Sequence, residues 1–212
     1  MVGPGVSASI FNRLSRLPGC CGGIRVDEIL SPYNIVGDTT GAPSFVQSQL
    51  TKLNLWNLTD YDRVLYIDAD CMVVQNIDEL FDLDIPFAAS PDIFPPDKFN
   101  AGVMLVRPNE AVYRSMLQSI GVLKSYDGGD TGFLNSYFHD WYQSDYGARL
   151  PFGYNAQRTL HWFTKKNPAY WESIQPLKII HFCSSPKPWE VSMTSKTLGP
   201  LELLWWQTFI GY

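Results

Sequence analysis

The chain has 212 residues, long enough for one α/β domain with a substantial core. Hydrophobic residues at 45% and aromatics at 14% exclude a disordered chain. A net charge of −5 with no basic run argues against non-specific nucleic-acid binding.

In chain order, Ser7 caps a helix through Leu17 that ends at Pro18-Gly19. Arg25 to Leu30 predicts a strand, broken by Ser31-Pro32-Tyr33-Asn34. A loop rich in Gly, Thr and Pro runs from Asn34 to Pro43. Ser44 then opens a helix carrying Phe45, Leu50, Leu53 and Leu55-Trp56 toward Leu58. Arg63–Asp68 predicts the central strand, buried on both faces, and Ile77–Phe81 a short helical turn. Val103–Val106 predicts another buried strand, followed by a helix from Glu110 to Leu123. Asp130–Phe138 reads as helix, and Lys178–Ile180 as a strand ending at His181. The apolar Leu201–Ile210 favours a packed helix over an interfacial segment. Short apolar runs alternating with helices indicate βαβ units in one domain over residues 1–212.

Cys20, Cys21, Cys71 and Cys183 form neither a C-x-x-C pair nor a regular spacing, so free thiols are expected, with a reducing cytoplasm favoured. No stretch approaches the ~20 apolar residues of a membrane span. The start, Met1-Val2-Gly3-Pro4-Gly5, lacks the pattern of a signal peptide.

Asp68-Ala69-Asp70 directly follows Val64-Leu65-Tyr66-Ile67. Open α/β sheets bind ligands beyond the carboxyl ends of their strands, and two carboxylates one residue apart there can hold a hard divalent cation against a diphosphate. An isolated D-x-D more often merely starts a turn. Phe99-Asn100-Ala101-Gly102 precedes the next strand. Small Ala101 and Gly102 allow close backbone approach to a ligand, while Asn100 offers donor and acceptor. A plain turn explains that segment equally well. In Asp127-Gly128-Gly129-Asp130-Thr131-Gly132, Asp130 can cap the following helix, but capping alone does not account for the whole run. His181 closes a strand. Alone it reads as a structural histidine, but with Asp68 and Asp70 it makes a mixed N/O ligand set suited to Mn²⁺ over Mg²⁺.

Asn57–Asp70, Asn76–Phe81, Phe99–Val103, Gly128–Asn135, Leu150–Asn155 and His181 with Lys187-Pro188-Trp189, in that order, resemble the glycogenin-like retaining glycosyltransferases of family eight. The resemblance implies a Rossmann-like nucleotide-diphospho-sugar transferase fold. It also implies a UDP-sugar donor, Mn²⁺, and hexose transfer with retention. Carried over by position, Asp68, Asp70 and His181 match the metal ligands. Ala69 lies between the first two. Lys52 matches a lysine that meets the donor phosphate, and Asn100, Ala101 and Gly102 the sugar-contacting turn. Asp127, Gly129, Asp130 and Thr131 match positions around the transferred hexose, with Thr131 in place of a glutamine. Ser184 stands at a glycine position, and Lys187 matches a diphosphate-contacting lysine.

Asp130 and Lys52 are the resulting catalytic pair. The carboxylate stabilises an oxocarbenium-like transition state; Lys52, Lys187 and Mn²⁺ neutralise the leaving diphosphate. Trp162 stands where glycogenin carries its acceptor tyrosine. Lacking a hydroxyl, it implies a separate carbohydrate, lipid or polyol acceptor. The family's first strand and helix have no counterpart ahead of Val2–Ser7, which predicts an N-terminally truncated fold. That in turn predicts a gap or exposed sheet edge beside Arg63–Asp68 and weakened UDP binding. The alternative is a non-catalytic accessory subunit keeping the fold, in a homodimer or larger assembly.

Overall fold

The computed structural model describes residues 1–33, 48–144, 148–196 and 198–211. Among them, in chain order, lie α1 (Ala8–Leu14), β1 (Val64–Ile67), β2 (Cys71–Val73), β3 (Phe87–Pro91), β4 (Phe99–Val106), α2 (Glu110–Ser119) and α3 (Asp130–Tyr137). Next come β5 (Ala156–Gln157), α4 (Arg158–Thr164), α5 (Pro168–Glu172), β6 (Ile179–His181) and α6 (Pro200–Ile210). Contacts divide the chain into two compact units, one of Met1–Val64 with Arg107–His139, the other of Leu65–Val106 with Asp140–Tyr212.

In the first unit, the Ser7 hydroxyl caps α1 by accepting from the Ile10 N–H at 3.3 Å. The helix stops at Leu14, short of Leu17. Arg16 and Leu17 donate instead to the carbonyls three residues back, tightening the last turn, and Gly19 comes after at φ +79°. The strand expected from Arg25 to Leu30 shrinks to one bridge, Val2 with Arg25. Side chains occupy the backbone beyond it: the Ile29 N–H donates to Thr51 Oγ1 at 3.0 Å, and Asn54 Nδ2 donates to the Asp27 carbonyl at 3.0 Å. The loop from Asn34 and the expected helix start at Ser44 and Phe45 lie outside the described residues. From Gln49 to Asn57 the chain forms a 3-10 helix rather than an α-helix. Its buried Leu50, Leu53 and Trp56 recur every third residue, the 3-10 period. Trp56 stacks on Phe138 with ring centroids 5.8 Å apart. Asn109 caps α2 through the Ala111 and Val112 N–H groups, and α2 ends at Ser119, before the expected Leu123.

Among the described residues, the second unit contains two three-stranded sheets, ordered β1-β4-β3 and β2-β6-β5. β4, not the run at Arg63–Asp68, is the central strand of the first. β1 stands at an edge of that sheet and is only half-buried, whereas Ala101 and Val103–Val106 are fully buried. Asn100, Ala101 and Gly102 belong to β4 itself rather than to a turn ahead of it. β3 pairs antiparallel with β4, with an irregularity between Ala89 and Pro91. In the second sheet β6 pairs antiparallel with β2 and parallel with β5.

Successive strand residues face opposite sides, so Ile179 joins a core of Leu80, Val103, Leu105 and Tyr154. Ile180 joins another of Met72, Trp171, Phe182 and Leu201. His181 returns to the face of Ile179. Ile179→Val is expected to destabilise this unit by about 0.5–1.5 kcal/mol in urea titration without disturbing the pairing of His181. α6 is the expected helix, buried at Leu201 and Glu202 and exposed at Phe209 and Ile210. No helix among the described residues is long and apolar enough to cross a membrane.

Candidate functional site

Asp68 leaves β1 with its N–H donating to the Gly102 carbonyl at 2.8 Å, and the Cys71 N–H closes back on the Asp68 carbonyl at 3.0 Å. This turn exposes Ala69 and sets Asp68 and Asp70 on its two flanks. β2 then carries Cys71 opposite His181 on β6, and the Phe182 N–H donates to the Asp70 carbonyl at 2.9 Å. The ladder therefore brings His181 up to both predicted carboxylates, Asp70 more closely than Asp68. His181 Nε2 lies 3.2 Å from Asp70 Oδ1 and 3.9 Å from Asp68 Oδ2. Lys187 Nζ donates to Asp70 Oδ2 at 2.6 Å and to the Phe182 carbonyl at 2.7 Å. Burial pushes the Asp70 carboxyl up, but His181 and the Lys187 ammonium outweigh it and hold the group well below the usual carboxylate range.

Cys71, absent from the expected ligand set, also comes close: its sulfur and one donor atom each from Asp70 and His181 lie within 4.8 Å of one another. Burial, reinforced by the charges of Asp68 and Asp70, pushes this thiol far above its ordinary value. A thiol is a soft ligand, so Asp68 is the better third donor for a hard cation.

The imidazole is oriented from behind. Asn155 Nδ2 donates to Asn100 Oδ1 at 2.9 Å, an oxygen that also accepts from the Gly102 N–H at 2.9 Å. The Asn155 amide oxygen is thereby turned to His181 Nδ1, 2.8 Å away. With Nδ1 held by that oxygen, Nε2 is the ring nitrogen that faces the two carboxylates. Acceptors converging in this way fit a divalent cation.

Asn155 was not singled out from sequence, although it closes the block Leu150–Asn155. Gly102, expected to admit a ligand, instead admits the imidazole: a Cβ there would collide with His181 Cε1. Gly102→Ala and Asn155→Leu are each expected to lower divalent-cation affinity by about 10–100-fold in calorimetric titration, as for other groups that orient a metal-ligating histidine. Ser184 is half-buried, its Oγ accepting from Arg158 at 3.0 Å.

In the first unit, Lys52 Nζ and Asp130 Oδ2 form an ion pair at 2.5 Å, with side chains 10% and 11% exposed. The neighbouring turn belongs to Asp127. Its Oδ1 accepts from the Gly129 N–H at 2.8 Å, the Gly132 N–H at 3.0 Å and Ser125 Oγ at 2.8 Å, with Gly128 at φ +75°. Asp127, not Asp130, therefore caps α3. Gly129 is the N-cap residue, and Asp130 and Thr131 lie in the first turn.

Residues 43–192 match the family described as glycosyl transferase family 8. This chain belongs to that family. Every expected site residue lies in the matched segment. Among family 8 relatives, Glycogenin-2 of Homo sapiens is 38% identical over 154 residues, covering 72% of this chain and 30% of that protein. Glycogenin-1 of Caenorhabditis elegans is 42% identical over 147 residues, covering 69% and 34%. The chain thus spans about a third of the length of these two relatives. The apo-form glycosyltransferase GlyE of Streptococcus pneumoniae TIGR4 superposes with a TM-score of 0.64 at 24% identity, covering 95% of this chain and 50% of that one. The shared fold is the α/β nucleotide-diphospho-sugar transferase fold expected from the sequence.

Proposed function

We propose that the protein is a Mn²⁺-dependent retaining glycosyltransferase that moves a hexose from a UDP-sugar to a separate acceptor. The observation carrying this reading is the convergence of Asp68, Asp70 and the oriented His181 beside Lys187. These three side chains would hold Mn²⁺, which when bound supplies positive charge to the departing diphosphate. Lys187 adds a further cation to the same leaving group, from a loop that also carries Ser184. Asn100 offers its half-buried side-chain amide to the sugar, with Ala101 and Gly102 behind it on β4.

Asp130, with Asp127, Gly129 and Thr131 beside it, works on the hexose. The bond from the anomeric carbon to the diphosphate breaks with its electron pair leaving on UDP. The Asp130 carboxylate stabilises the positive charge left on the ring. Lys52 holds that carboxylate in place through their ion pair. Trp162 offers no hydroxyl for self-glycosylation at its position, which supports an external carbohydrate, lipid or polyol acceptor.

Calorimetric titration of UDP with and without Mn²⁺ tests the reading. Binding that requires the metal is expected at about 10⁻³ M, the weak end of the range common for enzyme substrates. No binding with Mn²⁺ present would overturn it and leave a fold-keeping accessory role.

A further inference from the structure

Arg158 opens α4 directly after β5 and is 1% exposed, the one fully buried cation among the described residues. Its Nη1 donates to Glu202 Oε1 on α6 at 2.9 Å. Its Nη2 donates to the Ser184 carbonyl at 2.5 Å, to Ser184 Oγ at 3.0 Å and to the Pro186 carbonyl at 2.8 Å. The guanidinium lies over the Trp162 ring, 4.1 Å from its centroid. Trp162 therefore has a packing task of its own.

Burying both charges costs several kcal/mol per ion, and a matched apolar pair is commonly as stable, so stability alone does not explain Arg158. What apolar residues cannot do is hold two carbonyls at fixed points. A planar guanidinium fork does so. The carbonyls it holds belong to Ser184 and Pro186, on the loop that joins His181 to Lys187.

We propose that Arg158, braced by Glu202, is a positioning residue for the donor diphosphate: it pins the loop of residues 184–187 so that Ser184 and Lys187 meet the phosphates. This inference rests on the nucleotide-sugar reading above. Arg158 touches neither the metal-ligand trio nor the donor, and it acts through the loop.

The decisive variant is Arg158→Met combined with Glu202→Leu, which removes both buried charges and leaves neither unpaired. Its melting temperature is expected to stay within a few degrees of the native protein. Its Mn²⁺ affinity should remain within about twofold, because the ligands are untouched. UDP affinity in saturating Mn²⁺ should fall about tenfold, a change of about 1.4 kcal/mol. Arg158→Lys, which keeps the charge but loses the fork, should show the same loss. In a Lys187→Ala background the double substitution should have little further effect, since the two act on one contact.

UDP affinity within about twofold of native in the double variant, or full additivity with Lys187→Ala, would overturn the positioning role. Loss of UDP affinity only in step with loss of folding would overturn it as well. Failure of the nucleotide reading is distinguishable: the native protein itself would not bind UDP with Mn²⁺, before any substitution is made.

Discussion

Asp70→Ala is expected to lower Mn²⁺ affinity by more than about a hundredfold and to remove metal-dependent UDP binding with it, a larger loss than the 10–100-fold typical of groups that only orient a ligand. Asp70 is the hinge of the proposed metal-ligand trio. Its Oδ1 faces His181 Nε2 at 3.2 Å while its Oδ2 accepts from Lys187 at 2.6 Å. Losing it removes a ligand oxygen and leaves Lys187 tied to the Phe182 carbonyl without its carboxylate partner.

The same substitution has a pH signature. The folded carboxyl titrates below its unfolded value, so its ion pairs stabilise the protein at neutral pH. That contribution is lost as pH falls below the ordinary carboxylate range. Asp70→Ala should therefore flatten the acid limb of the stability profile. Cys71→Ala is the matched control. A soft thiol adds little to a cation that prefers oxygen and nitrogen donors, so Mn²⁺ affinity should stay within about threefold. Equal losses in the two variants, read by calorimetry, would make the thiol a ligand and refute the Asp68–Asp70–His181 set.

The meeting of His181 with Asp68 and Asp70 was legible in the sequence because each ends or follows a short apolar run, and a strand terminus is a place the chain itself marks. The order of strands carries no such mark. Val64–Ile67 and Val103–Val106 are equally apolar, and only pairing with β3 on its far side makes β4 the central one. The division of labour in Asp127-Gly128-Gly129-Asp130 was also hidden. Either acid can accept backbone N–H groups, and the choice falls to Asp127 because Gly128 turns at positive φ and aims the N–H groups of Gly129 and Gly132 at it. Asp130 is thereby released to pair with Lys52, a partner far away in the chain. Arg158 was least visible. In Gln157-Arg158-Thr159 it looks like a surface residue, and its burial depends on Glu202, 44 positions later. Local pattern cannot report a partner at that distance.

Asp130→Asn is expected to lower the rate of sugar transfer by about 10²–10³-fold, while UDP affinity changes by no more than about threefold. The carboxylate is assigned to charge that develops only as the glycosidic bond breaks, so its removal should register in kcat and spare ground-state binding of the diphosphate.

One structural confound must be separated. Asp130 and Lys52 are both nearly buried, and removing one partner of such a pair leaves an uncompensated charge that can cost about 3–5 kcal/mol of stability. Asp130→Asn with Lys52→Gln replaces the ion pair by two neutral groups of similar size, and this variant should regain most of the lost stability. If transfer remains depressed by about a hundredfold or more in that variant, at native folding, the pair acts in the transfer step rather than in folding. Transfer that recovers together with the melting temperature would reduce Asp130 and Lys52 to a structural brace for α3.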